Sequence, residues 1–172
     1  SDERQWMWMD EGLNSFLHTR TLMERYPQYP HTTVKSIVPF MQGDQSIMRP
    51  VMTTSDNELF SQFGNNFYEK PTVALTLLRE TVMDTKVFDN AFKEYANRWK
   101  YKHPNPADLF RTLEDVTATD LDWFWRGWFF TTEKVDVEVA DVKWFKVKNE
   151  AADPENKTRK VQQGDLNASG SQ

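Results

Sequence analysis

The stretch that decides the fold is residues 6–25, WMWMDEGLNSFLHTRTLMER. Its large apolar side chains recur at a spacing of three and four, which predicts an amphipathic helix from about Met9 to Arg25. Asp10 and Glu11 fall in the first turn, where negative charge suits the positive end of the helix dipole. The fold is therefore expected to be mainly α, built outward from this helix.

Glu11 has two interpretations on the residues alone. It is either a solvated carboxylate that complements the helix dipole, or a buried carboxylate that needs a partner such as a metal ion. The apolar run before it favours a buried helix start. Gly12 follows directly, and a glycine in a helix interior indicates that another group must approach the backbone closely.

Four further helices are predicted along the chain. They cover about residues 70–83, residues 86–100, a segment capped by Asn105 with Pro106 in its first turn, and a segment capped by Thr119 that runs through Trp128. After residue 132 the period changes to alternation, which predicts one or two β-strands within residues 133–148. Residues 149–172 are polar and without period, and we expect a linker or tail there.

Composition excludes several classes of protein. Aromatic residues make up 14% of the 172 residues, which argues against wholesale disorder. No apolar run approaches the roughly 20 residues of a membrane span. The net charge of -5 comes without a Lys/Arg cluster, so nucleic acid is not an expected partner. The chain has no Cys, so it has neither disulfides nor thiolate metal sites.

Since it begins inside an apolar pattern and ends in a polar segment, we expect a piece of a longer protein.

The stretch from Trp8 to Phe16 resembles the W-L-N-E-G-F-A-x-Y motif of the M1 zinc aminopeptidases. The resemblance implies that residues 1–132 are the helical C-terminal half of a thermolysin-like metallopeptidase catalytic domain. It also implies that Glu11 is the third zinc ligand. Two His ligands and a general-base Glu then come from an upstream H-E-x-x-H helix, which leaves a fourth zinc position for water.

A second match is Phe67-Tyr68-Glu69-Lys70-Pro71, which resembles the family's Y-E-K-G motif. By this resemblance Tyr68 is the hydrogen-bond donor to the oxyanion of the tetrahedral intermediate. The alternative is a Tyr whose ring only packs at a helix start. Glu69 and Lys70 are expected in the exposed first turn of their helix. A third match, residues 121–129, is structural, and its tryptophans 123, 125 and 128 are expected in the core.

The sequence departs from the family at several points. Asp10 and Pro71 replace the commoner Asn and Gly, and neither H-E-x-x-H nor the G-x-M-E-N motif occurs. In a full-length relative, H-E-x-x-H should end about nine residues before Ser1. The three histidines, His18, His31 and His103, do not form a pair on one helix face. His18 lies two turns after Glu11, roughly 10 Å away and too far to share one zinc.

Two hypotheses follow. In the first, the chain is a fragment, inactive alone, of a zinc-dependent aminopeptidase-like metallopeptidase whose partners are a peptide substrate and the rest of its catalytic domain. In the second, it is a non-catalytic helical binding module on an M1-like scaffold. The resemblance favours a bacterial cell-envelope or exported location over the cytoplasm.

Overall fold

The chain begins with two helices that follow each other almost without a break. The structure is a computed structural model, and it describes residues 1–30, 32–134 and 142–143. A short helix, α1 (Glu3–Trp6), is capped by the Asp2 carboxylate and leads into the long helix α2 (Trp8–Arg25). The predicted helix over residues 9–25 is confirmed.

The segment between α2 and residue 64 consists of short turns, in keeping with its weak sequence pattern. It contains a 3-10 turn (Val34–Ile37), the one-turn helix α3 (Val38–Met41), and two more 3-10 turns (Ser55–Asn57 and Phe60–Gln62).

The central helix has three consecutive parts. A π-helical turn (Gly64–Glu69) runs into α4 (Lys70–Leu77), which ends in a second π-helical turn (Leu78–Val82). The helix thus begins at Gly64, before the predicted start near Lys70. The Lys70 amide reaches back five residues to the Asn65 carbonyl, so the turn ahead of Pro71 is already helical. Single π turns of this kind occur frequently at functional sites.

The remaining helices are α5 (Thr85–Trp99), α6 (Pro106–Thr117) and α7 (Asp122–Trp125), the last continued by a π-helical turn (Arg126–Phe130). Asn105 caps α6 in a reciprocal capping box with Asp108, as predicted. Thr119 does not cap the next helix, and this prediction was wrong. The start of α7 is instead held by Asp120, which accepts from the Asp122 amide at 3.0 Å.

The core is largely aromatic. Trp8, fully buried, packs its ring 4.6 Å from that of Phe129, and Phe110 stacks on Trp125 at 4.3 Å. The high aromatic content therefore packs the helices together. Trp125 lies in this core and Trp128 packs against it. Trp123 is 62% exposed, so the prediction that it belongs to the core was wrong. In a helix only part of the circumference can face the core, and Trp123 lies outside that part.

The helices all lie in the first of two units, Ser1–Val135. They confirm the mainly α fold, and the described residues contain no strand. The strands predicted within 133–148 and the tail predicted over 149–172 fall almost entirely outside the described residues. No helix in the described ranges is both long enough and apolar enough to cross a bilayer.

Candidate active site

Glu11 and Tyr68, the two residues singled out in the sequence, meet in the structure. The Tyr68 hydroxyl donates a hydrogen bond to the Glu11 carboxylate. Glu11 comes from the first turns of α2 and Tyr68 from the π-helical turn Gly64–Glu69, and both side chains are partly buried. A carboxylate suited to bind a metal and a phenol suited to donate a hydrogen bond are thus adjacent.

The electrostatics of this pair keep the phenol protonated. The hydrogen bond to Glu11, followed by burial and the charge of Glu11, raises the pKa of Tyr68 to about 12. The charges of Asp10 and Glu3 act in the same direction. Since removing the proton would place a second negative charge beside these carboxylates, Tyr68 is a neutral hydrogen-bond donor at neutral pH.

Asp10 and Glu3 extend the carboxylate cluster towards solvent. They share a hydrogen bond, and this bond together with the charge of Asp10 raises the pKa of Glu3 above its usual range. Both side chains are exposed. The face of the site that carries Glu11 is therefore strongly acidic.

Gly12 and Pro71 bring the two helices together beside the pair. A Cβ atom on Gly12 would lie 2.6 Å from Pro71 Cγ and 3.0 Å from the Phe67 carbonyl oxygen. The Thr72 hydroxyl donates to the Tyr68 carbonyl at 2.7 Å, which holds the turn that carries Tyr68. The close approach anticipated at Gly12 is made by the central helix, at the proline where the family usually has Gly.

Lys70 is not exposed, and the prediction that it belongs to a solvated first turn was wrong. Its side chain is only 2% exposed, and Nζ donates one hydrogen bond to the Thr131 carbonyl at 3.4 Å. Burial lowers the pKa of Lys70 to about 8. The aliphatic stem of lysine packs like an apolar side chain, which is why helical periodicity alone did not separate it from Glu69. Glu69 is partly buried.

Glu11 fits one position of a zinc site, because a partly buried carboxylate beside a hydrogen-bond donor is a usual zinc ligand. Within the described residues, Glu11 belongs to no group of three His, Asp or Glu side chains that could hold a metal ion. His18 and His103 are exposed, and His31 lies outside the described residues. Three carboxylates do converge elsewhere, Glu114, Asp120 and Asp122. Two of them cap α7, since Glu114 accepts from the Leu121 amide and Asp120 from the Asp122 amide.

Tyr68 also lines a cavity of about 400 Å³, which we call the Tyr68 pocket. Seven further residues line it: Ser15, Thr32, Ser61, Gly64, Asn65, Glu69 and Thr72. Sequence analysis did not identify this pocket. The sequence does contain one indication of it, the helical spacing of its lining residues. Ser15 lies one turn after Glu11 and Thr72 one turn after Tyr68, so each pair lies on one face of its helix.

The described residues form a mainly helical fold, as expected for the helical part of a metallopeptidase catalytic domain. The sequence model of the peptidase family M1 domain matches residues 3–128, and the chain belongs to this family. The family resemblance expected from the sequence is thereby confirmed.

The chain is similar to the probable aminopeptidase 1 of Sulfurisphaera tokodaii. The two are 22% identical over an alignment of 149 positions, which covers 81% of this chain and 19% of that protein. The chain therefore spans about a fifth of the length of this relative. No solved structure matches it.

Proposed function

We propose that the chain is the helical part of a zinc-dependent, aminopeptidase-like metallopeptidase, in which Glu11 is a zinc ligand and Tyr68 the oxyanion donor. The observation that carries the proposal is the hydrogen bond from Tyr68 to Glu11. It joins the two motif residues, from segments far apart in the sequence, at one point of the fold. Membership of family M1 supports the peptidase class.

When bound, zinc would supply a water of lowered pKa and polarise the scissile carbonyl. This chain would contribute a metal ligand and a hydrogen-bond donor. Glu11 offers one carboxylate ligand, and its hydrogen bond with Tyr68 fixes the orientation of both groups. Tyr68 has a single O–H, which stays protonated, so once Glu11 holds the metal this O–H could donate instead to charge that develops on a substrate oxygen. Pro71 against Gly12 fixes the distance between the two helices that carry these groups.

The proposal implies that the 172-residue chain alone does not hold a catalytic zinc. One carboxylate is a third of a His₂Glu ligand set, and within the described residues Glu11 belongs to no group of three potential metal ligands. The remaining ligands and the general base would come from the parent protein. Stoichiometric, sub-micromolar zinc binding by the isolated chain in a calorimetric titration would contradict this.

The decisive experiment uses the parent protein with its upstream segment. Tyr68→Phe is expected to lower kcat for peptide hydrolysis by about 10²–10³-fold with zinc content unchanged, since one oxyanion donor is lost. Glu11→Gln is expected to lose zinc, measured by metal analysis. Tyr95→Phe is the matched control, because Tyr95 is also a buried phenol but lies in α5, outside the site. An unchanged kcat in Tyr68→Phe would reject the assigned role.

The second candidate function, a non-catalytic binding module, draws support from exposed aromatic side chains. Trp123 is 62% exposed and Phe60 is 95% exposed. Aromatic side chains such as Trp and Phe are enriched at protein–protein interfaces. The sequence of the parent upstream of Ser1 separates the two functions, because a parent without H-E-x-x-H has no catalytic zinc site.

A further inference from the structure

The residues that line the Tyr68 pocket are mostly polar. Its walls come from α2, the turn Phe60–Gln62, the π-helical turn Gly64–Glu69 and α4. Four of its side chains end in aliphatic hydroxyls, those of Ser15, Thr32, Ser61 and Thr72, and Asn65 adds an amide. These groups can accept hydrogen bonds as well as donate them. The pocket therefore suits a ligand group that is rich in N–H donors.

Glu69 is the charged residue among those that line this pocket. Its side chain is partly buried, and within the described part of the chain the carboxylate forms no hydrogen bond or ion pair. The adjacent Lys70 does not neutralise it, because the Lys70 ammonium donates to the Thr131 carbonyl instead. A partly desolvated carboxylate without a counter-charge favours a cationic ligand.

The negative charges around the pocket also favour a cationic ligand. Tyr68, which lines the pocket, also lies beside the acidic face formed by Glu11, Asp10 and Glu3, so negative potential reaches the pocket from that side. Clefts lined by one sign of charge concentrate ligands of the opposite sign. The chain as a whole, with a net charge of -5, does not oppose this.

We infer that the Tyr68 pocket binds the lysine or arginine side chain of a substrate residue that flanks the scissile bond, with Glu69 as its counter-charge. The inference rests on the proposed function only in taking the substrate to be a peptide. Tyr68 lines the pocket and also contacts Glu11, so a side chain held there belongs to a residue next to the reacting carbonyl.

The first test measures binding to the 172-residue chain itself and needs neither zinc nor catalysis. The probes are Nα-acetyl-lysine methylamide and its uncharged analogue, Nα-acetyl-norleucine methylamide, titrated while the amide resonances of Gly64, Asn65 and Glu69 are followed by NMR. The lysine probe is expected to shift these resonances and to bind about threefold or more tightly than the norleucine probe, as for a partly screened ion pair. Added salt should reduce the difference.

The matched variants are Glu69→Gln and Glu24→Gln. Each removes one negative charge, but Glu24 is exposed near the end of α2 and does not line the pocket. Glu69→Gln is expected to abolish the preference for lysine, and Glu24→Gln to keep it. Failure of the lysine probe to bind, equal binding of both probes, or an unchanged preference in Glu69→Gln would each overturn the inference.

The second test uses the parent protein loaded with zinc and peptides that carry lysine or norleucine at each position flanking the scissile bond. A preference for lysine in kcat/KM at one of these positions, lost in Glu69→Gln, is expected. Hydrolysis without this preference would reject the inference and leave the proposed function standing. The absence of hydrolysis of any peptide would reject the proposed function, while the binding result on the isolated chain would still decide the role of Glu69.

Discussion

The ring of Pro71 lies directly on the backbone of Gly12. A Cβ atom built on the glycine would come within 2.6 Å of Pro71 Cγ and 2.8 Å of Pro71 Cβ, distances that real Cβ atoms do not show. The contact joins α2 to α4 next to the Glu11–Tyr68 pair. Two features of the sequence, a glycine inside a helix and a proline in place of the family's glycine, are thus parts of one packing contact.

Gly12→Ala is therefore expected to destabilise the protein, by about 1–3 kcal/mol, because the added methyl group overpacks a rigid ring. The free energy of unfolding in urea measures this. Gly127→Ala is the control, since a Cβ there meets no atom within 4 Å. The double variant Gly12→Ala, Pro71→Gly should recover part of the loss. Equal effects of Gly12→Ala and Gly127→Ala would contradict the contact.

Glu11→Gln is expected to lower the pKa of Tyr68 from about 12 towards the ordinary value of 10, because the charged acceptor of its hydrogen bond is removed. A phenol whose pKa is raised on folding adds stability that is fully present below pH 10 and is lost as the pH rises through 12. The variant should lose less stability across this window than the wild type does.

The measurement is the ultraviolet absorbance of tyrosinate, with Tyr68→Phe to identify the contribution of Tyr68. Tyr95 serves as an internal reference. Its pKa is also raised to about 12, chiefly by burial, and the causes do not include Glu11. A Tyr68 titration that is the same in Glu11→Gln and in the wild type would exclude the hydrogen bond.

Lys70→Met is expected to stabilise the protein at pH 7. Burial lowers the pKa of Lys70 from 10.5 to about 8. The Lys70 side chain therefore binds its proton less tightly in the folded state than in the unfolded state. Stability of the wild type should therefore rise between pH 8 and 10.5, and the advantage of the variant should shrink over the same interval. At neutral pH the gain is at most about 3 kcal/mol.

Thermal unfolding of wild type and Lys70→Met across this pH range measures the effect. Lys86→Met is a suitable control, because Lys86 lies exposed in α5. A Lys70→Met protein that is less stable than the wild type at pH 7 would show that the hydrogen bond to the Thr131 carbonyl outweighs the cost of burying the ammonium.

Glu114→Ala is expected to loosen the start of α7. One carboxylate oxygen of Glu114 accepts from the Leu121 amide at 3.0 Å and from the Trp125 indole N–H at 3.2 Å. Removing the acceptor leaves two partly buried donors unpaired, at a cost of about 1–3 kcal/mol. Glu114→Gln keeps an acceptor oxygen and should cost less. Chemical denaturation followed by tryptophan fluorescence distinguishes the two variants, and equal losses would refute the shared hydrogen bonds.

The sequence was most informative where periodicity and capping act locally. The helices over residues 9–25 and 86–100 and the Asn105 cap follow from spacing and from side chains that satisfy nearby amides. The start of α7 was not predicted correctly from the residue types near it. Thr119 looked like a cap, but the carboxylates of Glu114 and Asp120 take that role.

For the site, too, local sequence patterns predicted some features and missed others. Glu11 and Tyr68 were found through motif resemblance, and their hydrogen bond became visible only when α2 and the central helix were placed side by side. Burial of Lys70 and exposure of Trp123 ran against expectation, because both depend on which side of a helix its neighbours cover. The Tyr68 pocket combines residues from several separate segments, and no pattern in one segment indicates it.

The contact between Glu11 and Tyr68 lies wholly within the unit Ser1–Val135. Under the proposed function, the spacing between metal ligand and oxyanion donor is then set by this unit and does not depend on the polypeptide that supplies the other ligands. Such a unit lends itself to reconstitution in trans, in which the two parts of the catalytic domain are produced as separate chains and mixed. Activity would then report on association alone, since one half of the reaction geometry is already assembled.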